Sequence, residues 1–204
     1  MSFYLLLVRH GLTDWNEEGR LLGRIDVGLN ARGRAQARAL ARSLRDIPIA
    51  RVVSSPQRRA QETALPVAEV LGLSVETEAG LDEVWLGRWQ GKRLDELAGD
   101  PHLERYRQDP TYECDVVEPA RKVQRRMVEV VEHLRKGNPG GTVVVVSHGD
   151  PLRLVLAHYL SLDLAGYRSL SADNASVSVL RWGRGQPRLL RLNWTPSGVL
   201  IPCG

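Results

Sequence analysis

The sequence predicts an α/β protein, with a mostly parallel central sheet, helices on both faces and an antiparallel edge near the C-terminus. Three observations predict it. Two apolar runs of strand length, in "YLLLVRHG" (residues 4–11) and "VVVVSHG" (143–149), each stop at a polar residue, a histidine and a glycine. Four apolar residues in a row suit a strand covered on both faces, as in a parallel sheet. Stretches with helical apolar spacing separate such strands, the alternation from which parallel sheets are built. Near the end, two strand-like stretches are joined by "GRGQ" alone, which suits a hairpin and is too short for a crossover.

In chain order, residues 3–8 read as the first strand. Gly11 punctuates it, and Thr13, Asp14 and Asn16 are residues that turns and helix caps favour. Residues 31–46 form an Ala/Arg-rich amphipathic helix, and 51–53 a short apolar strand. In "SSPQRRAQET", Ser55 has the chemistry of a helix cap and Pro56 that of a first helical position, for a helix running to about Leu71. "LSVETE" (73–78) is a weak strand before the Gly/Trp-rich loop "GLDEVWLGRWQGK" (80–92). Residues 92–112 read as irregular or weakly helical, interrupted by Pro101 and Pro110. A long helix covers 119–136 and closes at Gly137. After the next strand, Asp150 reads as a cap and Pro151 as the first position of another helix. Residues 176–182 and 187–193 make the closing hairpin. No repeat, low-complexity tract or linker divides the chain, so residues 1–204 read as one domain.

Composition narrows the partners. A hydrophobic share of 43% with 25% charged residues is ordinary for a soluble globular chain. The net charge of +4 favours anionic partners. Nearly all the cations are arginine, a planar fork suited to phosphate; only Lys92, Lys122 and Lys136 are lysines. Arg34, Arg38, Arg42 and Arg45 recur at helical spacing and read as a solvated face rather than a binding patch. The five tryptophans do not interleave with basic clusters as a single-strand surface requires, so no nucleic-acid partner is expected. The first apolar run stops at Arg9 with no basic stretch before it, unlike a signal peptide or a membrane span. No membrane partner is expected. Cys114 and Cys203 match no metal or redox spacing, which suits a reducing, cytoplasmic location.

An apolar strand followed by one polar residue, His and Gly occurs at His10 and again at His148. "RVVSSPQRRA" likewise runs a strand into a helix start followed by Arg58 and Arg59. If these strands are neighbours, both histidines and an arginine meet at one sheet edge, where open α/β sheets place ligands. Two histidines, arginines and a helix N-terminus suit a dianionic phosphoryl group. One His attacks phosphorus while its partners spread the charge. The competing readings are that Arg9 and His10 merely follow a strand into solvent, or that the histidines bind a metal. Metal sites usually add carboxylate or cysteine ligands, and arginines repel a dication. No metal and no cofactor are expected.

"VRHGLTDWN", "SSPQRRAQET", "LDEVWLGRWQG" and "VSHG", in this order, resemble the motifs of the histidine phosphatase superfamily, on its phosphoglycerate mutase-like branch. The similarity runs from about residue 3 to 182. The resemblance implies that His10 is the nucleophile, that Arg9, Asn16, Arg59 and His148 bind the phosphoryl group, and that Glu83 is the acid. It makes Arg58 a helix-surface residue. Asp82, the second choice for the acid, is expected to point away from the site. The chain departs from the family's pattern at Leu12, often Glu there, at Leu22, often Gln, and at "VVEPA" (116–120), where a Gly-Gly-Glu-Ser-like segment is usual. Leu12 should matter little to the chemistry; the other two segments border the pocket in relatives and bear on specificity.

The implied reaction is metal-independent hydrolysis of a small phosphomonoester through a phosphohistidine. Glu83 protonates the leaving oxygen and later takes a proton from the attacking water. Two alternatives stay open: a cofactor-dependent phosphoglycerate mutase, and a phosphate-binding regulatory module without turnover. Mutases of this family are usually longer, and binding alone would not require Glu83. A homodimer is also left open. Elsewhere, His102 in a polar loop and His133 on a helix read as surface residues, and His158 as structural. Trp85 and Trp89 read as packing for their loop, with a substrate wall as the alternative.

Overall fold

The computed structural model describes residues 2–109 and 111–196, so Pro110 and Cys203 lie outside the described residues. The apolar runs become β1 (Phe3–Arg9), β2 (Arg51–Ser54), β3 (Val75–Thr77), β4 (Thr142–Ser147), β5 (Val177–Trp182) and β6 (Arg188–Trp194). They pair as one six-stranded sheet in the order β3-β2-β4-β1-β5-β6. β3, β2, β4 and β1 are parallel; β5 and β6 add the antiparallel edge. The helices are α1 (Asp14–Glu17), α2 (Ala31–Leu44), α3 (Arg58–Leu71), α4 (Pro101–Gln108), α5 (Ala120–Gly137) and α6 (Gly149–Tyr159). None among the described residues is long and apolar enough to cross a membrane.

Alternation along the strands decides which helix packs where. Leu5, Leu7, Val143 and Val145 face Met127 and Val131 of α5 and Leu152, Val155 and Leu156 of α6. Leu6, Val8, Val144 and Val146 face Leu40 and Leu44 of α2 and Ala64, Val67 and Ala68 of α3. Helices therefore cover both faces, and β4 is buried along its whole length. A third cluster, with Val84, Trp89, Leu103, Tyr106 and Val123, packs the long segment between β3 and α5.

Four local readings change. Ser55 does not cap α3, which starts at Arg58 after Gln57 with no side-chain cap bond; the Ser55 hydroxyl is taken up by tertiary contacts instead. Asp150 does not cap α6 either. His148 is the N-cap, in extended backbone (φ −126°), and Asp150 lies in the first turn paired with Arg153. Pro101 begins a helix rather than breaking one. Asp100 accepts from the His102 and Leu103 amides, and proline at a first position forfeits no helical bond. His158 is exposed in the last turn of α6, not a structural core residue, and its ring only edges Tyr159.

Candidate active site

The sheet register places the site. Arg9 pairs with Ser147 across β1 and β4, and Ser54 with Val146 across β2 and β4. The carboxyl ends of three neighbouring parallel strands thus deliver His10, Ser55 and His148 side by side. Gly11 lets the chain turn against α2, since a Cβ there would lie 2.7 Å from the Gly33 carbonyl oxygen. The Gly11 amide donates to Thr63 Oγ1, whose hydroxyl donates to the Arg59 carbonyl, tying this turn to α3.

His10 Nδ1 lies 2.7 Å from the Gly11 carbonyl oxygen. A carbonyl only accepts, so Nδ1 carries the proton and Nε2 keeps its lone pair. Burial, then the charges of Arg59 and Arg9, hold His10 well below the usual imidazole range, so it is neutral near pH 7. The His148 ring stands 5.2 Å from that of His10, centre to centre. Its Nε2 is 2.8 Å from Ser55 Oγ, while Nδ1 is buried with no polar partner among the described residues. His148 is likewise held low, by burial first and then by Arg59 and His10.

Arg59 is wholly out of solvent, and its guanidinium donates to the carbonyls of Ile25 at 2.8 Å and Gly23 at 2.7 Å. Arg58 instead turns outward to Glu62. Arg9 donates to the Ala172 carbonyl at 2.7 Å. The Asn16 carboxamide oxygen accepts from the Thr13 amide and hydroxyl and from Asn174, leaving its amide nitrogen for the cleft it lines. Glu83 stands on the same cleft wall and its Oε1 accepts from the Val84 amide. Burial, and next the charge of Asp150, push its carboxyl up to about 7.

The cleft holds about 420 Å³ and is also lined by Leu22, Asp150, Arg153 and Arg168. His10, Arg59 and His148 are buried behind it. Arg9, Asn16 and Glu83 thus line the cleft, while His10 and His148 stand side by side with Arg59 close enough to act on both. Among the described residues no group of three or more His, Cys, Asp or Glu side chains is placed to hold a metal.

Other residues took places that motifs do not reveal. Asp82 does not line the cleft; its Oδ1 accepts at 3.3 Å from Ser55 Oγ, the hydroxyl that His148 Nε2 also contacts. Asn174 was missed; its amide donates to the His10 carbonyl at 3.1 Å, and only the polar turn before β5 hinted at it. Trp89 is fully buried and donates to Asp100, so it packs the loop, whereas Trp85 is 41% exposed. His133 is exposed, and His102 sits half-buried on α4 against the Tyr112 hydroxyl rather than in a loop.

The family model described as "Histidine phosphatase superfamily (branch 1)" matches residues 5–195. Phosphoserine phosphatase 1 of Hydrogenobacter thermophilus is 35% identical over 201 residues, covering 94% of this chain and 92% of that protein. The glucosyl-3-phosphoglycerate phosphatase of Mycobacterium tuberculosis is 34% identical over 194 residues, covering 89% and 87%. Among solved structures, "Mycobacterial hydrolase 1" superposes with a TM-score of 0.89 at 32% identity, over 96% of this chain and all of that one. A family match over nearly the whole length, on a fold that sets two histidines beside Arg9 and the buried Arg59, gives one conclusion: the chain belongs to the histidine phosphatase superfamily, branch 1.

Proposed function

We propose that this histidine phosphatase hydrolyses small phosphomonoesters by passing the phosphoryl group first to His10 Nε2 and then to water. The observation that carries the reading is the His10 tautomer: Nδ1–H is spent on the Gly11 carbonyl, which leaves Nε2 as a neutral, buried nucleophile. In the first step Nε2 bonds to phosphorus as the ester oxygen departs. Arg9 and Arg59 meet the charge on the transferring group, and His148 and Asn16 donate to it. Glu83, held near pH 7 in the range where a group can both give and take a proton, protonates the departing oxygen. In the second step water attacks phosphorus, Glu83 takes its proton, and phosphate leaves His10.

The substrate class follows from the cleft and the relatives. A space of about 420 Å³ fits a small metabolite. On its wall stand Arg168 and Arg153, the latter paired with Asp150, and they favour a leaving group that carries a carboxylate. The names of two relatives, a phosphoserine phosphatase and a glucosyl-3-phosphoglycerate phosphatase, point the same way.

A quench experiment tests the mechanism. Mixing the enzyme with a radiolabelled phosphomonoester and quenching in base should leave label on the protein that acid then removes, as a phosphohistidine requires. His10→Ala should carry none; persistent label in that variant excludes His10 as the nucleophile. Phosphate release from phosphoserine, 3-phosphoglycerate and propyl phosphate, with and without 2,3-bisphosphoglycerate, separates hydrolase from mutase and tests the carboxylate preference.

A further inference from the structure

The acid sits on a stretch that strand pairing does not hold, yet several peptide groups around it are tied. The Glu83 amide lies 3.3 Å from Gln57 Oε1, and the Val84 amide 2.9 Å from Glu83's own Oε1. The Trp85 amide donates to Glu118 Oε2 at 3.2 Å, and the Glu118 amide donates back to the Trp85 carbonyl at 2.8 Å. Two guanidinium groups converge on the Glu83 carbonyl: Arg24 Nε at 3.0 Å and Arg126 Nη2 at 3.2 Å. Arg126 also donates to the Gly80 carbonyl at 2.8 Å, three residues earlier on the same loop.

Glu118 joins the two arginines. Its Oε1 accepts from Arg126 Nε at 3.1 Å, and its Oε2 from Arg24 Nη2 at 3.0 Å and Arg126 Nη2 at 3.2 Å. Glu118 and Arg126 are mostly buried, with side chains 14% and 17% exposed. An isolated surface pair adds little, but a sheltered carboxylate shared by two guanidinium groups is a strong, directional joint. The network spans three distant parts of the chain: the turn around Arg24, the loop of Glu83 and the start of α5. Arg24 moreover lies between Gly23 and Ile25, whose carbonyls hold Arg59.

We propose that Glu118, with Arg24 and Arg126, is a positioning clasp for the acid: it fixes the Glu83 main chain so that the carboxyl meets the departing oxygen. None of the three lines the cleft, so they act through Glu83, and the proposal rests on Glu83 being the acid. It also gives the "VVEPA" segment a part in the reaction, through the one carboxylate it contains.

The test measures phosphorylation of the enzyme in single turnovers, on an alkyl phosphate and on para-nitrophenyl phosphate. An alkoxide needs the acid's proton to leave; a nitrophenolate hardly does. Glu118→Gln keeps the size of the side chain, and Arg24→Ala removes a partly exposed one. Each should slow the alkyl ester roughly tenfold, the scale of a modestly misplaced group, and the nitrophenyl ester by less than about threefold. In a Glu83→Gln background, Arg24→Ala should add no further loss on either ester. Equal losses on both esters, no loss, or a full additional loss in the Glu83→Gln background overturns the clasp. If Glu83→Gln itself shows no dependence on the leaving group, the assignment of the acid falls, and the clasp with it.

Discussion

At the ends of β1, β2 and β4, the phosphoryl seat is placed by main-chain ladders: His10, Ser55 and His148 stand where strand register puts them. The Glu83 loop, from Ala79 to Trp89, is made of short 3₁₀ turns and is placed by side chains, above all Arg24, Arg126 and Glu118. In the proposed mechanism the two regions perform different halves of one reaction. The seat handles what every phosphomonoester shares; the loop meets what differs, the leaving group. A rigid sheet edge suits the constant half, and a loop pinned by replaceable side chains suits the variable half.

Substitutions should split along this boundary. The largest effect tests the loop: Glu83→Gln should slow enzyme phosphorylation on alkyl phosphates by about 10²–10⁴-fold and far less on para-nitrophenyl phosphate. Single-turnover kinetics are needed, because dephosphorylation also uses Glu83. Next comes the seat: Arg59→Ala should lower kcat by roughly 10²–10³-fold, the cost of one lost transition-state donor, and equally on both esters. A leaving-group dependence for Arg59→Ala would erase the division between the regions.

The pH profile gives the third effect. A proton must be on Glu83 for it to act as acid, and its raised value keeps it there up to about pH 7. Above that, kcat/KM for an alkyl phosphate should fall by about tenfold per pH unit. His10 and His148, held low by burial, should push the acid limb below pH 6.5, the ordinary imidazole value. An alkaline limb that is equally steep on the nitrophenyl ester would assign it to a group other than the acid. The smallest effect is Arg58→Ala, under about threefold on any ester, since that side chain turns outward to Glu62.

The sheet was legible because its two central strands, β1 and β4, carry uninterrupted apolar runs and the turn after each carries glycine. Local chemistry misled where a tertiary partner outbid it. "SSP" and "GDP" both look like helix starts, yet Ser55 is claimed by His148, Gln57 and Asp82, and α6 begins before Asp150, at Gly149. Asp100-Pro101 held the same signal and was a true start. The proposed clasp was hardly legible: the "VVEPA" segment stood out, but Arg24 lies 94 residues before Glu118, and a charged residue on a helix, as Arg126 on α5, looks like solvent-facing surface until the chain folds back on it.

Arg9 and Arg59 are tethered by peptide carbonyls, of Ala172 and of Gly23 and Ile25, which orient a guanidinium without cancelling its charge. Such a seat keeps a standing attraction for any tetrahedral dianion, whether or not an alcohol is attached to it. The product of the reaction is such an ion. Orthophosphate should therefore compete with substrate on nearly level terms, and turnover would slow as free phosphate accumulates and recover as it is drawn away. In the proposed mechanism, the grip that speeds the chemistry would tie the enzyme's output to the phosphate status of its surroundings.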